Sequence, residues 1–365
     1  MRSRVRAFLA QEREAGGYVA HSNAWMTYDA GFTRRCGEAG FIGLTLPREY
    51  GGHGRSAVER YVVYEEMLAA GAPLGMHWIA DRQSGPQILR HGSELARTTV
   101  LPRIAEGTCG IGIGMSEPDV GSDLASVRTR ATRCDGGWRL AGTKLWTSHA
   151  QRAQYVIVLA RTAPASANRH AGLTQFLVDT QARGFTARPV VDLAGNRDFN
   201  EVLLDDVFVP DAFLLGEEGA GWQLVIGELA YERSGPDRFL STFPLLMALV
   251  RRCAAAPTAE ARVQVGRLFA HLATLRRMSL GIAAALDAGR QPNVEAAMVK
   301  DLGTSLEREI PEIARLLAPC AASRDARDPY AADLALALLS APSFTLRGGT
   351  REILRGIVAR ELGLR

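Results

Sequence analysis

Two stretches of the chain carry residue types suited to holding a flat ligand. In Ile111–Asp123, IGIGMSEPDVGSD, small residues and the hydroxyls of Ser116 and Ser122 flank a proline turn. A backbone of that kind can approach a ligand closely and donate hydrogen bonds to it. In Gly142–Ala150, GTKLWTSHA, Trp146 offers an aromatic plane with Thr147 and Ser148 beside it as donors. Together these groups suit an isoalloxazine ring. Taken alone they serve as well as a turn and as core packing, because tryptophan is commonly buried. Glu232, in ELAYERSGPDR, stands directly before Arg233, and the ordinary fate of such a glutamate is a solvated helical residue paired with a neighbour. His149 adjoins the second stretch, but a histidine at a strand end is more often simply hydrogen-bonded. His170 and His271 have no partners at metal-ligand spacing. No G-x-G-x-x-G lies between a strand and a helix, and neither a P-loop nor a G-x-S-x-G is present.

The elements that must position these residues follow from the texture of the chain. From Met1 to about Glu106 it is helical, as in YVVYEEMLAAG, with apolar spacings of three and four and a glycine stop. Between about Gly107 and Pro210 it changes to short β-type runs, among them QYVIVLART, LTQFLVD and EVLLDDVFV, separated by Gly, Asn and Asp turns. After Gly221 it returns to helices long enough to form a bundle, with AAAPTAEA as a loop between two of them. The fold expected is α+β and multidomain: an N-terminal α-helical domain over 1–106, a middle antiparallel β-barrel domain over 107–213 and a C-terminal α-helical bundle over 214–365.

Bulk properties narrow the function classes. With 365 residues, 47% of them apolar, the chain can bury a large core. Its 43 Lys and Arg against 39 Asp and Glu leave a net charge of +4, too diffuse to argue for nucleic acid. Cys36, Cys109, Cys134, Cys253 and Cys320 are scattered and odd in number, which reads as reduced thiols in a cytoplasmic protein. The short apolar start is followed at once by Glu12 and Glu14, so no secretory signal is expected, and even the run Phe243–Val250 is closed by Arg251 and Arg252, so no membrane span is.

The motif S-E-P-x-x-G-S-D, followed by W-x-S at Trp146–Ser148, resembles the flavin-binding signature of the acyl-CoA dehydrogenase family. The resemblance extends to FIGLTLPREYGGHG, similar to that family's N-terminal segment, and to VPDAFLLGEEGAGWQ, similar to its exit from the β domain. It implies that Met115, Ser116, Gly121, Ser122, Trp146 and Ser148 line FAD, with Ser148 near flavin N5, and that Ser122 and Arg233 meet the substrate. The α-proton of a thioester is weakly acidic and needs a carboxylate base. The family's commoner base belongs to a C-terminal E-G-T, where this chain reads LRGGTREILRG, with Gly348 in place of the glutamate. The other position precedes an arginine on the first C-terminal helix, as in isovaleryl-type and long-chain-type members, and it falls on Glu232. Gly348 keeps a backbone N–H able to polarise the thioester carbonyl, while Gly349 and Thr350 match the rest of the motif and imply contact with FAD.

Two of that family's elements are missing: R-x-x-F-G, where this chain has VRRCAAAPTAEARVQ, and Q-x-x-G-G-x-G, replaced by AADLALALLSAPSFT. The resemblance therefore implies FAD-dependent α,β-dehydrogenation of an acyl-CoA or acyl carrier protein thioester, branched or bulky where Gly348 leaves room, with electron-transfer flavoprotein as acceptor. It implies a homodimer, a homotetramer or a heterotetramer. A catalytically silent subunit of a heteromer and a flavin monooxygenase on the same fold stay open as other readings.

Overall fold

The computed structural model describes residues 1–164, 168–233 and 235–364, and the side chains at 229–232 lie outside the described residues. Helices come first: α1 (Arg2–Glu14), α2 (Ala30–Glu38), α3 (Ala57–Ala69), α4 (Gly85–His91) and α5 (Glu94–Ala105). Strands follow: β1 (Ile111–Gly114), β2 (Arg130–Cys134), β3 (Gly137–Ser148), β4 (Tyr155–Arg161), β5 (Leu173–Asp179), β6 (Phe185–Val190), β7 (Phe199–Pro210) and β8 (Leu214–Leu215). The chain closes with α6 (Gly221–Arg233), α7 (Phe243–Ala255), α8 (Ala259–Asp287), α9 (Asn293–Leu317), α10 (Pro329–Phe344) and α11 (Arg351–Glu361). The helical, β, helical order expected from the sequence is the order observed. The residues group into two compact units that cut across it, one of Met1–Met26, Ser56–Pro73 and Ala230–Arg365, the other of Thr27–Arg55 and Leu74–Leu229.

The second unit is built on one sheet in the order β6-β7-β3-β2-β4-β5-β8, with β1 pairing β4. The antiparallel expectation holds for most pairs, whereas β1 runs parallel to β4, and β2 meets β4 in parallel at Arg130 and Arg161. Strand β4 is buried through YVIVLA, which explains why it reads as an unbroken apolar run and not as an alternation. Trp138, Phe176, Val158 and Val202 belong to the core beside it, with the Trp138 and Phe176 rings edge to face at 5.5 Å. Strand β3 breaks register with β7 twice, between Leu140 and Gly142 and again between Lys144 and Thr147. Bulges of this kind bend a strand and re-aim its side chains.

The first unit packs α1, α3 and α7 to α11. Ser56 and Glu59 close a capping box at the start of α3, and Thr258 caps α8 through Ala261 N–H. Glu65 and Glu66 of α3 take the guanidinium groups of Arg2, Arg6 and Arg276, which ties α1 and α8 to α3. Helix α9 buries Ala296, Val299, Lys300, Gly303, Leu306, Glu307 and Ile310, a stripe at spacings of three and four. Gly303 is required there, because a Cβ would lie 2.3 Å from the Arg238 carbonyl oxygen.

Candidate active site

In the second unit, the loop after β1 is held by one buried ion pair. Lys144 is fully buried on β3, and its Nζ donates to Glu117 Oε1 at 2.8 Å and to the Met115 carbonyl at 3.1 Å. The Glu117 carboxylate also accepts the backbone N–H groups of Arg128 (2.7 Å) and Thr129 (2.9 Å). Burial alone would push the Glu117 carboxyl up, but Lys144 and these donors hold it below the usual carboxylate range. Burial pulls the Lys144 ammonium down to about 8 against the opposing pull of Glu117.

This pair fixes Met115 and Ser116 next to the second bulge of β3. The Ser116 carbonyl accepts Leu145 N–H at 2.9 Å, and Trp146 follows with φ 63, a left-handed conformation that is costly for a bulky residue. The consequence is a change of face: Lys144 and Thr147 point inward, while Trp146 stands 55% exposed, edge to face with Phe199 at 6.0 Å. Gly121 and Ser122 lie exposed at the loop's far end, with open space where a Gly121 Cβ would be. Ser148 is half-buried at the end of β3. An exposed indole plane, an open glycine backbone and hydroxyl donors fit a flat aromatic group, and the six residues expected at such a group lie on these two adjacent segments. Sequence reading missed Lys144, whose signal was a cation set among the small and apolar residues of Leu140–Trp146.

His149 is buried with φ 54, its Nδ1 4.0 Å from Asp198 Oδ1 and its backbone N–H donating to the Asp198 backbone carbonyl at 2.7 Å. Burial, helped by Asp192 and opposed by Arg152, raises the Asp198 carboxyl to about 6. His170 stacks on Trp222 at 4.1 Å, and His271 is exposed. Among the described residues no cluster of metal-ligating side chains exists.

In the first unit the Gly348–Thr350 turn is gripped by buried cations. Arg233 Nε donates to the Gly348 carbonyl at 3.2 Å, and Lys300 Nζ donates to that of Gly349. A trans peptide sets its N–H opposite its C=O, so the N–H groups of Gly349 and Thr350 point away from the two cations. Gly348 (φ 68) and Gly349 (φ 95) are both left-handed, and a Gly349 Cβ would meet the Arg233 guanidinium at 3.2 Å. The preceding residue, Arg347, anchors the turn from behind. Its guanidinium reaches Glu307, Ser241 Oγ and the Asp237 carbonyl at 3.0, 3.0 and 3.2 Å, and lies over the rings of Trp25 and Phe344. Burial lowers Arg347 to about 10 and raises Glu307, each countered by the other. Lys300 and Glu307, seven apart on the buried stripe of α9, were the legible sign of this network. Glu232 falls on α6, with its side chain outside the described residues.

Comparison with known proteins places this geometry. The family models for the acyl-CoA dehydrogenase N-terminal, middle and C-terminal domains match residues 1–108, 112–207 and 248–363. Acyl-CoA dehydrogenase IpdE1 of Mycobacterium tuberculosis is 33% identical over 343 residues, covering 91% of this chain and 87% of that protein. The chain belongs to the acyl-CoA dehydrogenase family. Its members are flavoprotein oxidoreductases acting on CH–CH bonds. Acyl-CoA dehydrogenase FadE26 of the same organism is 41% identical over 199 residues, which span 54% of this chain and 49% of that protein. The solved ChsE4-ChsE5 complex from Mycobacterium tuberculosis superposes with a TM-score of 0.84 at 30% identity, over 100% of this chain and 96% of the chain compared. No described helix is long and apolar enough to cross a membrane.

Proposed function

We propose that the chain dehydrogenates an acyl thioester to its trans-2-enoyl product with FAD. The observation that carries this is the bulge of β3, which turns Trp146 outward beside the Met115–Ser116 segment while Lys144 and Glu117 lock both from within. Met115, Ser116, Gly121, Ser122, Trp146 and Ser148 would hold the flavin, and Gly349 and Thr350 are the further residues assigned to it. When bound, the flavin supplies a two-electron acceptor for the hydride that leaves the β-carbon. The chain's part is to remove the α-proton. Glu232 is the base, taking that proton while the electron pair of the broken Cα–H bond becomes the new C=C π bond. Arg233 and Ser122 bind the substrate, and the Gly348 N–H donates to the thioester carbonyl as negative charge develops there, a contribution of about 3 kcal/mol for one such donor.

The room left at Gly348 suits a branched, cyclic or otherwise bulky acyl group, carried on CoA or on acyl carrier protein. Electron-transfer flavoprotein is the acceptor that fits this chemistry, and the cytoplasm is the compartment that fits the reduced cysteines. A second reading is favoured by the missing R-x-x-F-G and Q-x-x-G-G segments, together with the likeness to a two-component complex. In it the chain pairs with an unlike subunit that completes the FAD site in a heterotetramer. Otherwise it forms a homodimer or homotetramer.

The test is the flavin absorbance of the purified chain, scanned without oxygen before and after adding acyl-CoA thioesters. Bleaching that disappears in Glu232→Gln supports dehydrogenation with that base. Faster bleaching by straight-chain than by branched thioesters contradicts the bulky-substrate assignment. A colourless chain that turns yellow only when co-purified with a second subunit supports the heteromer.

A further inference from the structure

The segment that leads into α4 is polar and yet buried. Residues Ala80–Ser84 form one π-helical turn, and Asp81, Gln83, Ser84 and Gln87 are all buried. Such turns are rare and concentrate at functional sites. Within it, Gln83 Nε2 donates to Glu228 on α6, and Gln87 Nε2 donates to Gln175 Oε1 on β5. Gln175 in turn reaches the Met115 thioether, with Nε2 4.0 Å from Sδ. Within the turn and at the start of α4, Ser84 Oγ and Gln87 Oε1 are buried and have no hydrogen-bond partner among the described residues. Side chains three apart on a helix are neighbours, so the two orphan atoms lie within reach of one small group. A buried polar atom without a partner calls for a water or a ligand, since alanine and leucine at these positions would avoid the penalty altogether.

We propose that Ser84 and Gln87 form a recognition subsite for a hydroxyl group on the acyl chain, which makes the substrate a hydroxyl-bearing acyl thioester. The inference rests on the dehydrogenase reading above. Its chemistry follows from the two atoms. A ligand hydroxyl donates its proton to Gln87 Oε1 and accepts one from Ser84 Oγ–H, so both orphans are satisfied at once. A ligand carbonyl would satisfy Ser84 alone, and a methylene neither. The amide of Gln87 is already pinned by Gln175, so its free oxygen is presented without a further loss of side-chain freedom. The position suits an acyl chain for two reasons. Gln175 ties the subsite to Met115, assigned above to the flavin. Gln83 ties it to Glu228, and position 232 follows Glu228 by one turn of α6, about 6 Å of rise.

The experiment is calorimetric binding of matched CoA thioesters to the flavin-loaded chain, the members of each pair differing only in a hydroxyl remote from the α and β carbons. The unaltered chain should favour the hydroxylated member by about 10-fold or more, because a site built to bond a hydroxyl rejects the analogue that lacks it. Ser84→Ala should bring that preference to within about threefold while its thermal midpoint stays level or rises, since alanine removes an unsatisfied buried hydroxyl. Gln87→Leu should act in the same direction. No preference in the unaltered chain, or an undiminished one in Ser84→Ala, overturns the subsite and assigns the two atoms to a trapped water. Anaerobic bleaching with the same thioesters separates this inference from the reading it rests on. A hydroxyl preference in binding without bleaching removes the dehydrogenase and keeps the subsite, whereas bleaching without preference does the reverse.

Discussion

Replacing Lys144 by Met tests whether one buried ion pair sets the geometry of the loop after β1, the loop we assign to the flavin. Methionine fills much of the same volume but leaves the Glu117 carboxylate, 6% exposed, with only the Arg128 and Thr129 N–H donors. It also removes the donor to the Met115 carbonyl. Breaking a buried pair from one side costs about 3–5 kcal/mol. The loss should depend on pH in a defined way. In the unaltered chain Glu117 titrates below its ordinary 4.5, so its contribution is present above that value and is lost as pH falls through the folded one. In Lys144→Met the cation is gone and burial raises the carboxyl, so the variant instead loses stability as pH rises. The gap between the two proteins should therefore open above about pH 4.5 and widen further above about pH 8, because the buried Lys144 sheds its proton more readily in the folded chain than in the unfolded one. Urea unfolding followed by circular dichroism from pH 4 to 9 measures the gap, and the Glu117→Gln/Lys144→Met double variant should recover part of it. A loss below about 1 kcal/mol at pH 7, the scale of an exposed pair, or a gap that does not vary with pH would refute the argument.

Three further outcomes follow. Glu232→Gln should slow anaerobic flavin reduction by at least about 10²-fold, the low end for a general base, without releasing the flavin; stopped-flow absorbance measures it, and an unchanged rate would move the base elsewhere. Asp198→Asn should stabilise the chain at pH 7 by about 1–3 kcal/mol and leave it unchanged near pH 4. The raised Asp198 carboxyl contributes stability below 3.8 that disappears as pH rises through about 6, and melts at both pH values check the sign. Gly349→Ala should cost about 1–2 kcal/mol, because its left-handed φ and the Arg233 guanidinium both oppose a Cβ; thermal unfolding reads the loss, and a neutral variant would show that the turn is not held as described.

Much of the fold was legible because burial imposes periodicity. The stripe of α9 and the unbroken YVIVLA of β4 report how many of their faces are covered, and the AAAPTAEA break falls between α7 and α8. The residues we assign to the flavin were singled out by the family resemblance, because taken alone small and hydroxyl side chains around a proline serve as well as a turn. Gly348 in place of a glutamate, and Glu232 before Arg233, could likewise be read from residue type and order.

What order along the chain could not decide is which groups meet across it. Lys144 and Glu117 lie 27 residues apart, and Arg233 and Gly348 lie 115 apart. Nothing in either local sequence names the other. The same holds for Ser84 and Gln87, which read as ordinary helical polar residues until the packing buried them. A buried charge or hydroxyl must find its partner in space, and the desolvation that makes the partner necessary exists only once the chain has folded. Residue types, periodicity and family were settled by the sequence alone; the outward turn of Trp146, the cations on the Gly348–Gly349 carbonyls and the two orphan atoms beside α4 were decided by tertiary structure.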